Sequence, residues 1–183
     1  MNPLKSLIRW RIAAFEREHD YDMGYARKIL DASPHALFSF NRIMGFTRYR
    51  QDVPLEAWYA AKLVGTLAED CGPCTQLVAG MAEREGVDPV QIRAVLQHDR
   101  AAMTPGTALG FRFAQAALVH DAQADELRGE ILRRWGAKAL VSLAFALTSA
   151  RIFPTLKYAL GHGQSCRRVR VGGVDMPARA ANA

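Results

Sequence analysis

Cysteine is scarce in this chain. Three occur in 183 residues, two of them in Cys71-Gly72-Pro73-Cys74 and the third alone at Cys166. So few thiols exclude the disulfide framework of a small secreted domain. A second cysteine pair is lacking, and the five histidines (19, 35, 98, 120 and 162) include no close pair. Both gaps argue against a four-ligand zinc site, so no metal is expected. Also lacking is any stretch of about 18 uncharged apolar residues, so no transmembrane segment is expected. The longest such run, Ala139 to Ala150, has the length of a buried core helix. Arg9, Arg11 and Arg17 interrupt the N-terminal region, which offers no leader-like apolar stretch. A cytoplasmic location is the expectation. Strand patterning is nearly absent, with Val169 to Val171 the one β-like fragment.

Half of the residues are hydrophobic, enough for a sizeable core in one domain. Lys and Arg total 24 against 18 acids, giving a formal charge of +6. Phosphate binding needs a concentrated basic face, yet these bases are scattered along the helical stretches. The densest group is Arg167, Arg168 and Arg170, with no recognised nucleic-acid motif beside it. The charge therefore reads as a solvated basic surface, and no nucleic-acid partner is expected.

What is present is helix punctuation. Ser33-Pro34, Asp88-Pro89 and Thr104-Pro105 each place a capping side chain before a proline, as at an N-cap followed by the first helical position. Pro54 opens a segment running to about Glu69, and Gly86 closes one that begins near Pro73. Leu109, Phe113, Ala116 and Ala117 recur at helical spacing. Asp125 to Trp135 reads as helix and Ala137 to Arg151 as the most apolar segment. Pro154 is expected to break or kink the chain, leaving Thr155 to Leu160 as a last helical piece. The fold class is all-α, an array of about eight helices. Residues 1–165 form one domain, with 1–20 a peripheral N-terminal helix, and 166–183 an extended or loosely ordered tail. Leu4, Leu7, Ile8, Ile12 and Phe15 line one side of that first helix. Such a stripe suits a membrane surface or, more commonly, packing on the domain itself or on a second subunit.

Two thiols two residues apart can close a disulfide or bind a soft metal. In a reducing compartment a CxxC is usually redox-active or metal-bound. A helix start favours the thiolate through its free N–H groups and can lower a thiol pKa below about 8.5. Glu69 and Asp70 would raise it as nearby negative charges, although a buried carboxylate there could accept a proton, and Asp70 alternatively caps the helix. Tyr59, Thr75 and Gln76 are candidate hydrogen-bond donors near the pair. His98 and His120 are isolated histidines that folding would have to bring there. Cys166, beside Arg167 and Arg168, reads as an incidental tail thiol.

The tetrapeptide CGPC also matches thioredoxin, but that motif follows a β-strand in an α/β domain, and here the flanks are helical on both sides. A helix, then Glu-Asp-Cys-Gly-Pro-Cys, then a second helix ending at Glu85-Gly86-Val87 resembles the AhpD-like or carboxymuconolactone decarboxylase family. The resemblance is concentrated from Leu55 to about Leu96. It implies an all-α fold with the CxxC at the N-terminus of a core helix, thiol-disulfide exchange linked to alkyl-hydroperoxide reduction, and a homo-oligomer. It also implies a partner thiol reductant, no organic cofactor, and Cys74 as the attacking sulfur with Cys71 resolving. Exchange of the thioredoxin kind would instead use Cys71 first, so the order stays open. Redox members of the family resemble E-x11-C-x-H-C-x3-H, with Glu and His forming a proton relay. Aligned on the cysteines, Tyr59, Pro73 and Val78 stand at the three relay positions. The expected catalytic residues are Cys71 and Cys74, with Glu69, Asp70, Tyr59 and Gln76 as secondary candidates. The alternative is a non-catalytic assembly module on the same fold that has lost its relay.

Overall fold

The computed structural model describes residues 3–163 and 168–177. The fold is all-α: α1 (Pro3–His19), α2 (Gly24–Ala32), α3 (Pro34–Asn41), α4 (Met44–Arg48), α5 (Leu55–Ala68), α6 (Gly72–Arg84), α7 (Pro89–Gln97), α8 (Pro105–Leu118) and α9 (Gln123–Ala159). A small antiparallel hairpin comes next, β1 (Arg168–Val171) and β2 (Val174–Pro177), with Val169 opposite Met176 and Val171 opposite Val174.

The three Xaa-Pro starts behave as their chemistry dictates. Ser33 accepts from the Ala36 N–H, Asp88 from Val90 and Thr104 from Thr107, so side-chain oxygens satisfy amides that the first turn leaves open. Gly86, at φ +93, ends α6 in the left-handed region.

α5 is the axis of the molecule. Ten consecutive or near-consecutive residues from Ala57 to Leu67 are buried, including Trp58, Tyr59, Leu63 and Val64. A helix buried on all sides needs neighbours close in, and small residues provide the room. A Cβ at Gly65 would lie 2.7 Å from the Leu147 carbonyl of α9, and one at Gly110 of α8 would collide with the Ala57 backbone. α8 and α9 therefore cross α5 at near backbone contact. Phe111, Ile131, Leu143 and Leu96 complete this core.

A second, smaller core lies under the N-terminal helices. Ile12, Tyr21, Tyr25, Leu30 and Leu37 pack with Ile8, Phe15 and Phe40 against Leu77 of α6 and Phe153, Leu156 and Leu160 at the end of α9. Of the apolar stripe on α1, Ile8, Ile12 and Phe15 face this layer, whereas Leu4, Leu7 and Trp10 are exposed.

One local expectation is corrected, and the β-like fragment at Val169 to Val171 falls within β1. The break in the last helix falls at Gly136, whose φ of 83° and ψ of 179° only glycine adopts freely, and α9 continues through Pro154 to Ala159. Pro154 cannot donate to the turn before it, and beside it the Thr155 hydroxyl donates to the Arg151 carbonyl at 2.7 Å. Beyond α9, the described part of the tail is a packed element. Val169 and Val171 are buried in the main core, and Gln76 binds both the N–H and the carbonyl of Arg170. Cys166 and Arg167 lie outside the described residues.

By length and composition α9 could cross a membrane. Here its apolar residues Ala139, Leu143 and Ala146 are packed in the core.

Lys62 of α5 donates to the Thr47 carbonyl at 2.9 Å and lies 3.7 Å from the Trp58 ring centroid. Burial pushes its ammonium down to about 8 from 10.5, against the pull of Glu85. A base with a lowered pKa in the folded state favours folding only where it is neutral. Stability is therefore expected to rise between about pH 8 and pH 10.5, and Lys62→Met should flatten that rise in paired urea titrations. Gly110→Ala is expected to lose about 1–3 kcal/mol from overpacking, more than the ~1 kcal/mol of helix propensity it gains. Denaturant midpoints check this.

Candidate functional site

The site is built at the turn between α5 and α6. Glu69 ends α5, and Asp70 adopts φ 47°, a left-handed conformation that reverses the chain. Cys71 is extended (φ −105°, ψ 90°) and occupies the N-cap position of α6, so Asp70 is not the cap. Gly72 and Pro73 form the first helical positions, where the proline has no N–H to leave unsatisfied. Cys74 comes next in the same turn. The two Cα atoms are 5.3 Å apart and the sulfurs are joined as a disulfide. Thr75 donates to the Cys71 carbonyl twice, from its N–H at 2.9 Å and its hydroxyl at 3.1 Å. That carbonyl is thereby fixed as the first acceptor of α6.

Side chains from α9 hold the turn from outside. Arg151 pairs with Glu69 through Nε at 2.6 Å, and the Thr155 hydroxyl, whose hydrogen is shared with the closer Arg151 carbonyl, lies 3.3 Å from the other Glu69 oxygen. The Tyr158 hydroxyl donates to the Asp70 carbonyl at 3.0 Å.

Both cysteines are buried, Cys71 with 1% and Cys74 with 4% of its surface exposed. The N-terminal layer meets the second of them. Tyr21, in the connection between α1 and α2, places its hydroxyl 3.7 Å from the Cys74 sulfur. Lys157 of α9 lies behind it, with Nζ 4.4 Å from the Tyr21 ring centroid and 5.9 Å from that of Tyr25. Lys157 is 1% exposed. Burial holds its ammonium below the ordinary lysine value, partly offset by Asp22. The Tyr21 and Tyr25 hydroxyls are pushed well above the ordinary phenol value by burial, with Asp22 adding to it, so both remain protonated donors.

The secondary candidates separate. Glu69 is next to the pair but committed to Arg151 and Thr155. Gln76 turns to the β1 backbone and serves as the clasp of the hairpin. Tyr59 is buried in α5, and its hydroxyl engages Glu85, at the far end of α6 from the cysteines. His98 closes α7 in a left-handed conformation and packs edge-on against Phe111. His120 lines a trough of about 920 Å3 between α8 and α9, with Phe113, Leu140, Leu147 and Arg128. Arg151 and Thr155, the two residues that hold Glu69, form part of its wall. Among the described residues no group of three or more His, Cys, Asp or Glu converges as a metal site.

Tyr21 and Lys157 are the residues that sequence reading missed. Tyr21 lies 53 positions from Cys74, and Lys157 is a single cation in an otherwise apolar helix end. Neither sits in a spacing that signals chemistry. The one available hint is that lone lysine, because a cation on an apolar face demands a partner.

Compared with protein-family models, with curated proteins and with solved structures, the chain matches none. Fold and site therefore define an all-α protein with a buried CxxC disulfide, whose chemistry rests on its own geometry.

The Tyr158 hydroxyl reaches the left-handed turn's carbonyl from α9. Tyr158→Phe is expected to lower stability by about 1 kcal/mol, the ordinary worth of one hydrogen bond, with the disulfide retained. Urea unfolding and a thiol count on the same sample test both halves.

Proposed function

We propose that this protein is a thiol-disulfide oxidoreductase of the AhpD-like kind, in which Cys71 and Cys74 cycle between disulfide and dithiol. Its linked activity is hydroperoxide reduction, ROOH plus the dithiol giving ROH, water and the disulfide. The carrying observation is a disulfide within a CxxC at a helix start, with a protonated tyrosine hydroxyl on one of its sulfurs. Such an arrangement can stabilise a leaving thiolate by hydrogen bond and helix field together. No organic cofactor is needed, since the electrons come from a partner dithiol in the reducing cytoplasm. Assembly as a homo-oligomer belongs to the same reading, and Leu4, Leu7 and Trp10 on α1 are exposed apolar residues that suit it.

Access is the demanding step. With both sulfurs buried, a reductant reaches them only when covering residues move, and Tyr21 is one that lies on Cys74. Exchange is therefore coupled to opening of the N-terminal layer, whose core is much smaller than that around α5.

The same burial favours a second reading, a structural staple in a non-catalytic assembly module. Loop length weighs against it. Closing a loop of three-residue separation stabilises by only about 2 kcal/mol in the chain-entropy estimate, little for a staple.

Under the proposed function, Cys71→Ser and Cys74→Ser each reduce turnover of a disulfide or alkyl hydroperoxide, with dithiothreitol as electron source, to background. Wild-type protein that shows no turnover and keeps its disulfide under dithiothreitol sinks the oxidoreductase reading. The serine variants would then differ from it only by the modest loss of stability.

A further inference from the structure

The relay expected of a redox CxxC is missing from its sequence positions, yet Cys74 is not without polar company. A buried cation lies close to it in an unusual setting. Lys157 Nζ sits over the Tyr21 ring, and the hydroxyl of that ring is 3.7 Å from the Cys74 sulfur. Tyr25 borders the ammonium on a second side, at 5.9 Å. Among the described residues, the carboxylate acting on Lys157 is Asp22, and Asp22 is already engaged by Arg27 at 3.2 Å. Arg27 in turn holds Glu16 at 2.5 Å. The other charged groups around this end of α9 are also committed. Lys28 of α2 donates to the Leu160 carbonyl, and Glu69 pairs with Arg151. His162 packs against Gly24, beside Asp22. The ammonium thus faces aromatic rings and a carboxylate shared with Arg27, with little of the side chain left to water.

An anion beside Tyr21 would relieve that imbalance, and reduction of the disulfide creates one. We propose that Tyr21 and Lys157 make Cys74 the thiolate of the pair, Tyr21 by donating its hydroxyl hydrogen to the sulfur and Lys157 by its charge behind the ring. This rests on the thiol-disulfide reading and assigns the order of its steps. The reductant thiolate attacks the Cys71 sulfur, and the sulfur–sulfur bond breaks with its electron pair leaving on Cys74. The mixed disulfide with Cys71 is then resolved by the second thiol of the reductant, which becomes a disulfide. One of the two reductant protons ends on Cys71 and the other passes to solvent, while Cys74 stays ionised opposite Lys157. In the oxidising direction Cys74 is the sulfur that attacks. Tyr21 touches the reacting sulfur and is a catalytic residue in this scheme. Lys157 acts through it and is a positioning residue.

The test isolates Cys74 as sole cysteine in the Cys71→Ser, Cys166→Ser background and titrates it by ultraviolet thiolate absorbance, which needs no access to the buried sulfur. Cys74 should ionise below the free-thiol value of about 8.5. Adding Lys157→Met should cut the thiolate fraction at neutral pH about tenfold, and Lys157→Arg should largely restore it. Tyr21→Phe should lie between. Circular dichroism establishes folding, and if Lys157→Met does not fold, Tyr21→Phe against its parent carries the decision. A Cys74 titration that Tyr21→Phe and the folded Lys157 variants leave unmoved overturns the assignment. Exchange activity of the wild type is measured separately. A shifted titration with no exchange overturns the oxidoreductase reading and leaves the Cys74–Tyr21–Lys157 coupling standing.

Discussion

Close contact between α5 and its two long neighbours is the constraint on which the rest depends. α5 buries nearly its whole circumference, so every helix around it is positioned by the width of its side chains. Gly65 against the Leu147 carbonyl, and Gly110 against the Ala57 backbone, set the crossings of α9 and α8. Interiors at crystal-like density leave no slack for these contacts to drift. The C-terminal end of α5 is fixed as a result, and with it the reversal at Asp70 that starts α6. The same α9 that crosses α5 at Gly65 then supplies Arg151, Thr155 and Tyr158 to that reversal. One packing arrangement thus serves both the core and the cysteine turn.

Around the disulfide, two effects of opposite sign meet. Burial disfavours any charge, and it holds Lys157 below and Tyr21 above their ordinary values. The helix start and the Tyr21 hydroxyl favour an anion at the sulfur. In the disulfide state there is no anion to receive that help. The polar groups are held in place in advance, as preorganised stabilisation of a developing charge requires.

How much of this could be read in the amino-acid order depended on range. Ser33, Asp88 and Thr104 announced their helices because a cap acts within three residues. The CxxC could be placed at a helix start for the same reason. Pro154 misled, since its local rule predicts a break, while the backbone took its sharp bend at Gly136 and stayed helical through the proline. Val169 to Val171 read as β-like and lie in β1, but nothing local shows that Gln76, more than ninety residues earlier, clasps the Arg170 backbone. Gln76 was a plausible neighbour of the cysteines by sequence distance and turns to β1, while Tyr59, near the start of α5, lies beside the far end of α6. Tyr21 and Lys157 arrived from opposite ends of the chain, and no spacing rule connects them.

The kink at Gly136 has a mechanical meaning. Beyond it, residues 137–159 form one continuous rod, and that rod carries Arg151, Thr155, Lys157 and Tyr158 together. All four meet the cysteine turn or the tyrosine on its second sulfur, so the direction the rod takes after Gly136 sets several supports of the disulfide at once.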